Sequence, residues 1–361
     1  MPAPRGGRSP AVRQPAASAD TRYPIPMTPT RSSTRATSGR RRLLDEVERL
    51  AQELRPGQHQ RIEETLAALI GGEGRDYGIS PDELFAGGVP RIRPVLVQLA
   101  AQSGVNAGPT PGTQDVAMVA ELLHAAVILH DAALGRREGL RRRAARRVLH
   151  RAGHWLGGNH LTLRALEIAR RAPAPEILGD ALDALREVTE GQAFGASLQE
   201  RTPTPADVLQ HTESQAGAVL AFSCRAGGRL AGVSRPALTR LGRYGRHTGV
   251  AFQLAEDLAA FDSTEGLEAL TRLAVSGRPV LAVAFAAERD EELARLWREL
   301  GDEEDDDVAA RVAERVGATG AIGKGREAML EHVWSARRAL SELPETPARG
   351  AMDRIVGSLA G

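Results

Sequence analysis

An all-α protein is what this sequence predicts, on three observations. From Arg40 onward apolar residues return every three or four positions, the period of helices that lay one face against a core. No stretch alternates apolar and polar residues in steps of two with β-branched side chains, so no sheet is expected. Aromatic residues make up 3% of the chain while alanine, leucine and arginine abound, a composition suited to packed helices. With 361 residues the chain can bury a full-sized core, and no repeat of fixed period divides it.

Residues 1–39 stand apart from the rest. They are rich in Pro, Arg, Ser and Thr, carry one acidic residue, Asp20, and hold few large apolar groups. Such a segment cannot offset the entropy of ordering itself, so a disordered tail is expected ahead of a helical domain over 40–361. Its apolar island, Tyr23-Pro24-Ile25-Pro26-Met27, is a candidate docking peptide for a partner or a shell protein. The alternative is a tail that is merely solvated.

Helices are then predicted near 41–54, 57–70, 88–103 and 114–130, and near 139–151, 154–171, 176–198 and 204–212. Further ones fall near 214–231, 235–260, 264–276 and 279–298, and the last near 304–316, 323–341 and 349–358. Pro56, Pro81, Pro109, Pro111, Pro173, Pro175, Pro203, Pro205 and Pro236 mark breaks or first turns. The segment 115–131 organises the set. It is apolar nearly all round, so it belongs in the middle of the domain. Glu121, His124, His130 and Asp131 are its polar exceptions, and burying them costs free energy unless each has a partner.

Two charge runs stand out. Eight arginines crowd 136–151, as a solvated helix face, a nucleic-acid patch or an anion site within the fold. The acidic run Asp302–Asp307 precedes a predicted helix, where it complements the helix dipole. Overall, Lys+Arg 47 against Asp+Glu 46 leaves a net charge of +1, which gives no general attraction to nucleic acid or acidic membranes. Cys224 is the single cysteine, which excludes an internal disulfide and fits a reducing cytoplasm. No apolar run is expected to reach the roughly 20 residues of a membrane span, and the arginine-bearing N-terminus has no apolar stretch of a secretory signal.

Several stretches, in order, resemble the trans-prenyl diphosphate synthases, the polyprenyl synthetase family. They are Val89-Pro-Arg-Ile-Arg-Pro94, Glu121-Leu-Leu-His-Ala-Ala-Val-Ile-Leu-His-Asp131, Gly191-Gln192, the helix opening at Gly217, Gly249-Val-Ala-Phe-Gln-Leu-Ala-Glu-Asp257 and Gly277-Arg-Pro279. The likeness covers roughly 40–340. It implies an isoprenoid-synthase-type helical bundle around a central cavity. In that family two Asp-rich motifs on facing helices hold magnesium ions, and these bind the diphosphate of an allylic substrate. Magnesium takes hard oxygen ligands in near-octahedral geometry, and the charge it draws off is that of the leaving group. By resemblance Asp131, Glu256 and Asp257 are the metal-site residues. Arg91, Arg93, His124, Arg142, Arg143 and Gln253 are the diphosphate-site residues, and Ala126 and Val127 border the chain-length pocket.

The chain departs from the family pattern at named positions. Where the first motif reads Asp-Asp-x-x-Asp, this chain has Asp131-Ala132-Ala133-Leu134-Gly135. The second reads Glu256-Asp257-Leu258-Ala259-Ala260, and Asp262 lies about 200° round a helix from Ala260. The lysine of the basic block is Pro90. A Lys-Thr pair is replaced by Gln215-Ala216, an aspartate after Gly-Gln by Gly195, and a Gly-Asp pair by Gly158-Asn159. Each lost ligand or supporting partner commonly costs about 10- to 100-fold, and losses within one unit do not simply add.

The expectation is therefore a family member with a weakened magnesium site, catalytically impaired, acting as a non-catalytic or regulatory partner of an active prenyl synthase in a homodimer or heterodimer. One alternative is an active prenyltransferase that joins an allylic diphosphate to isopentenyl diphosphate, with a product of 20 carbons or more because Ala126 and Val127 leave the pocket floor open. Another is a compartment or scaffold cargo recruited through residues 1–39. Plainer readings of single residues stay open beside these: the acids as satisfied polar relics, Arg93 as a structural ion-pair partner, His124 as a core histidine, and Cys224 as inert packing.

Overall fold

The apolar segment around 115–131 folds as a helix over Thr113–Leu134, and the other helices pack around it and around one further long helix. The computed structural model describes residues 35–54, 58–71, 91–104, 110–134, 144–199, 201–261 and 266–360. In chain order the helices are α1 (Arg35–Leu54), α2 (Gln58–Gly71), α3 (Ile92–Ala101), α4 (Thr113–Leu134), α5 (Ala144–Ala169), α6 (Glu176–Leu198) and α7 (Pro205–Thr212). A π-helical turn, Glu213–Gly217, joins α7 to α8 (Ala218–Leu230). Then come α9 (Arg235–Ala259), α10 (Gly266–Val275), α11 (Leu281–Ala287), α12 (Glu291–Glu303), α13 (Asp306–Ala318), α14 (Ala321–Ser341) and α15 (Pro347–Gly357). No strand occurs among the described residues. The expected tail boundary lies in a region of which residues 1–34 are outside the described residues, and α1 begins at Arg35.

α4 touches α2, α3, α5, α6 and α8, and its Val116, Val119, Leu122, Leu123 and Leu129 are almost wholly buried. Its 22 residues are long and apolar enough to cross a membrane by length and composition. This corrects the expectation that no run approaches that length. Its position in the middle of the bundle accounts for the same composition, because a helix walled in by other helices needs no polar face. α9 forms the second axis, packed on α1, α8 and α14. Tyr244 on α9 is fully buried and its hydroxyl donates to the Met352 carbonyl at 2.8 Å, which ties α15 to this axis.

Local signals explain where helices start. Thr204 and Asp207 form a reciprocal capping box at α7, with Pro205 in its first turn. Asp305, from the acidic run, accepts the Asp307 and Val308 amides at 2.8 and 3.4 Å and so caps α13. Three predicted boundaries differ. The helices expected over 139–151 and 154–171 are one continuous α5 from Ala144, with Ala152 and Gly153 inside it and Gly153 buried. The helix expected over 279–298 is two, since the Asp290 side chain accepts the Glu292 amide at 3.1 Å and starts α12 afresh. The expected 214–231 helix opens in the π-helical turn that joins it to α7.

Candidate functional site

Asp131, one turn from the end of α4, faces a cavity of about 600 Å³. α6 contributes Gln192, α7 contributes His211, α5 contributes Arg151 and His154, and the turn after α10 contributes Arg278. Gln192 donates through Nε2 to Asp131 Oδ1 at 2.9 Å and to the Val127 carbonyl at 3.3 Å. One amide hydrogen bond does not make up for lost water. Burial pushes the Asp131 carboxyl up to about 6, against the opposing pull of Gln192 and of the Arg278 guanidinium.

The second acidic helix, α9, presents its residues in different directions. Glu256 and Asp257 are adjacent, so their side chains diverge by about 100°. Glu256 is ion-paired with Arg40 of α1. Asp257 is 2% exposed and turned inward. Arg278 grips it with both ends of the guanidinium, Nη2 to Oδ1 at 2.6 Å and Nη1 to Oδ2 at 3.3 Å. Gln253 adds Nε2 to Oδ1 at 3.0 Å. Burial raises the Asp257 carboxyl from its ordinary range, with the Arg278 charge and hydrogen bond pulling the other way. Asp257 itself does not line the cavity. Arg278 does, and so stands on the side of Asp257 that faces it.

A separate cluster forms ten residues earlier on α4. Glu121, 1% exposed, accepts Arg91 Nη1 at 2.7 Å and Arg93 Nε at 2.8 Å. Burial works to raise this carboxyl, but the guanidiniums of Arg93 and Arg91 hold it below the usual range. Burial and the same arginines press His124 down to about 3, so it is uncharged at neutral pH. Neither Arg91, Arg93, His124 nor Gln253 lines the cavity around Asp131. Ala126 and Val127 are buried at 1% and 8%; Val127 packs with Val188, Ala218 and Val219, while Ile128 reaches the cavity wall. Arg142 and Arg143 lie outside the described residues.

Three of the sequence departures have a structural counterpart. A Cβ at Gly195 would lie 2.6 Å from His211 Cε1 and 2.8 Å from His211 Nδ1, so the imidazole fills the place a side chain there would take. His211 in turn pairs through Nδ1 with the Gly191 carbonyl at 3.2 Å, and burial lowers its pKa to about 4. At Gly158 a Cβ would meet the His130 ring at 2.4 Å, and His130 Nε2 pairs with Asn159 Oδ1 at 3.2 Å. Gln215, in place of a lysine, donates to the Val188 carbonyl at 3.4 Å from the π-helical turn. Sequence reasoning missed His211 and Arg278 as site residues. The only signal was the Gly277-Arg-Pro279 block itself.

Magnesium wants about six oxygens in octahedral order. Asp131 offers one carboxylate, Arg40 draws Glu256 aside, and both oxygens of Asp257 are taken by Arg278 and Gln253. Among the described residues no three His, Cys, Asp or Glu side chains gather to hold an ion. The residues present do not fit a magnesium cluster.

The fold is that of the all-α isoprenoid synthases. Residues 81–314 match the sequence profile described as polyprenyl synthetase. A short chain isoprenyl diphosphate synthase of Methanothermobacter thermautotrophicus is 30% identical over 76% of this chain and 86% of its own length. Heptaprenyl diphosphate synthase component 2 of Geobacillus stearothermophilus is 28% identical over 81% of this chain and 91% of its own. Among solved structures, geranylgeranyl pyrophosphate synthetase from Pyrococcus horikoshii superposes with a TM-score of 0.69 at 21% identity, covering 88% of this chain and 98% of that one. The chain belongs to the polyprenyl synthetase family.

Proposed function

We propose that this polyprenyl synthetase is catalytically impaired and works in the cytoplasm as a partner subunit that stabilises or tunes an active prenyl diphosphate synthase. The observation that carries the reading is the state of its acids: Glu256 and Asp257 are bound by the chain's own guanidiniums, and Asp131 is the one of the three that borders the cavity. Charge that develops on a diphosphate leaving group then has no metal cluster to receive it.

A partner surface is available. Trp155, Leu156 and Leu163 on α5 and Leu182 on α6 are 47%, 53%, 62% and 49% exposed, an unusual cost for side chains of that size unless another helical face covers them. The name of the Geobacillus stearothermophilus relative speaks of a component of a synthase, which supports a two-subunit arrangement here. A homodimer would use the same face. The ligand kept by the cavity would be an isoprenoid diphosphate, with Ile128 and Val275 as apolar wall and Arg151 and Arg272 among its charged residues.

Pyrophosphate release separates this reading from an active enzyme. The purified chain with magnesium, an allylic diphosphate and isopentenyl diphosphate is expected to be silent, and to raise the rate or product length of a co-purifying synthase when mixed with it. Turnover by the chain alone, abolished in Asp257→Asn, would reject the proposal in favour of a prenyltransferase with a reduced metal site. Its product would be 20 carbons or longer if Ala126 and Val127 leave the pocket floor open. The cavity beside Asp131 is the observation that favours this second reading. The recruiting role of residues 1–39 is tested by deleting them: unchanged partner binding removes it.

A further inference from the structure

We infer that the cleft between α8 and the first half of α9 is an anion site for a ligand carrying a short chain of phosphoryl groups, separate from the cavity beside Asp131. The inference rests on the cleft's own residues and is independent of whether the chain is an active synthase or a partner subunit.

The cleft has a volume of about 670 Å³, within the range of small-molecule sites, and five of its nine lining residues are arginine. Arg225 and Arg229 come from α8, and Arg235, Arg243 and Arg246 from α9. Among the described residues no carboxylate lines it. The acids that serve these arginines are held on α6, outside the lining, and they are too few. Asp180 accepts Arg229 Nε at 3.0 Å and Nη2 at 3.4 Å, while Arg225 Nε stays 3.9 Å from it. Glu187 takes both terminal nitrogens of Arg246. Glu176 and Glu213 act on Arg229 and Arg246 through space. Arg225 Nε is closed off from solvent and makes no hydrogen bond, and the exposed Arg235 and Arg243 make no hydrogen bond or ion pair with any described residue. Three guanidiniums are thus left without a hydrogen-bonded carboxylate where two helices meet.

The backbone keeps them together. Gly242 is buried on α9, and a Cβ there would come within 3.1 and 3.2 Å of Arg225 Cγ and Cδ, so its missing side chain lets Arg225 lie across the neighbouring helix. The surplus charge is felt next door: His247 is held below its ordinary pKa by burial first and then by Arg246 and Arg243. Guanidiniums stay charged at any working pH, and each fork matches two oxygens of one phosphoryl group. A lone carboxylate would answer one of the three; a di- or triphosphate chain answers all of them. A soluble phosphate compound and a phosphorylated lipid head group share that chemistry. The cleft shares no lining residue with the cavity beside Asp131, and Arg243 lies about 20 Å along α9 from Asp257.

Calorimetric titration of inorganic tripolyphosphate into the full chain, in EDTA at about 0.15 M salt, tests this. Binding is expected, and the double variant Arg235→Gln with Arg243→Gln should weaken it by about tenfold or more. Two controls should leave it unchanged. Arg240→Gln removes the same charge from the same helix where it pairs with Glu342, and Arg151→Gln alters the cavity beside Asp131. No binding, a loss in Arg240→Gln as large as in the double variant, or a loss confined to Arg151→Gln would each overturn the inference. So would a short RNA that binds through the two arginines and is not displaced by tripolyphosphate. Phosphatidylcholine vesicles with phosphatidylinositol bisphosphate separate the two sources: co-sedimentation lost in the double variant assigns a lipid head group, and tripolyphosphate binding without it assigns a soluble compound. Should the double variant fail to fold, the wild-type His247 titration, followed by NMR, decides alone: saturating tripolyphosphate should move its pKa up, and an unmoved pKa refutes the inference.

Discussion

Glu121 and Asp131 sit ten residues apart on the same helix, are both withdrawn from water, and ionise in opposite directions. Glu121 lies under two guanidiniums and is held below the ordinary carboxylate range. Asp131 has one amide donor and a more remote arginine, and is pushed up to about 6. Burial presses both the same way; the supply of counter-charge decides the outcome. One end of α4 is thus a closed structural ion cluster, and the other is an under-compensated acid beside a cavity.

The largest way to break this contrast is at the closed end. Glu121→Gln leaves two nearly buried guanidiniums without a carboxylate, and breaking a buried pair in that manner typically costs about 3–5 kcal/mol. Urea unfolding should show that loss, and a loss near zero would mean that the arginines are solvated and the two ends are alike. The next effect is in pH. The folded pKa of Asp131 lies above its unfolded value, so its protonated form favours the native state. That contribution is present in full below about pH 4 and is lost as pH rises through about 6. Between those limits it is worth about 3 kcal/mol. Asp131→Asn should flatten this part of the stability profile and leave the protein more stable than wild type at pH 8. Glu121 has the reverse sign: its stabilisation is present above its unfolded pKa and fades as pH falls through the depressed folded one. The smallest effect sharpens the comparison. Gln192→Ala removes the amide from Asp131 and should cost about 1 kcal/mol, with the Asp131 titration, followed by carboxyl NMR, moving further up.

The helices were readable from spacing, and the misses show what spacing omits. Asp290 looks like any polar residue within an apolar period, yet its side chain captures the Glu292 amide and starts a new helix. Ala152 and Gly153 fall between two predicted helices, yet α5 runs through them. Of the acids named from their places in the motifs, Asp131 borders the cavity and Glu256 and Asp257 do not line it. Their partners were not readable. Arg40 reaches Glu256 from 216 residues away and Gln192 reaches Asp131 from 61. A helical period says which face a carboxylate lies on and nothing about which cation arrives there from another part of the chain. The lost aspartate at Gly195 is a similar case: the glycine was visible, and the His211 ring that fills its space was visible only in three dimensions.

Cys224, wholly buried on helix α8, which packs against α3 and α9, offers a practical dividend. Its thiol is both hidden from reagents and driven by burial far toward the protonated, unreactive form. A maleimide or disulfide dye can therefore label the chain only during the moments when the bundle comes apart. Its single labelling site turns the rate of that reaction into a clock for spontaneous opening, with no engineered probe required.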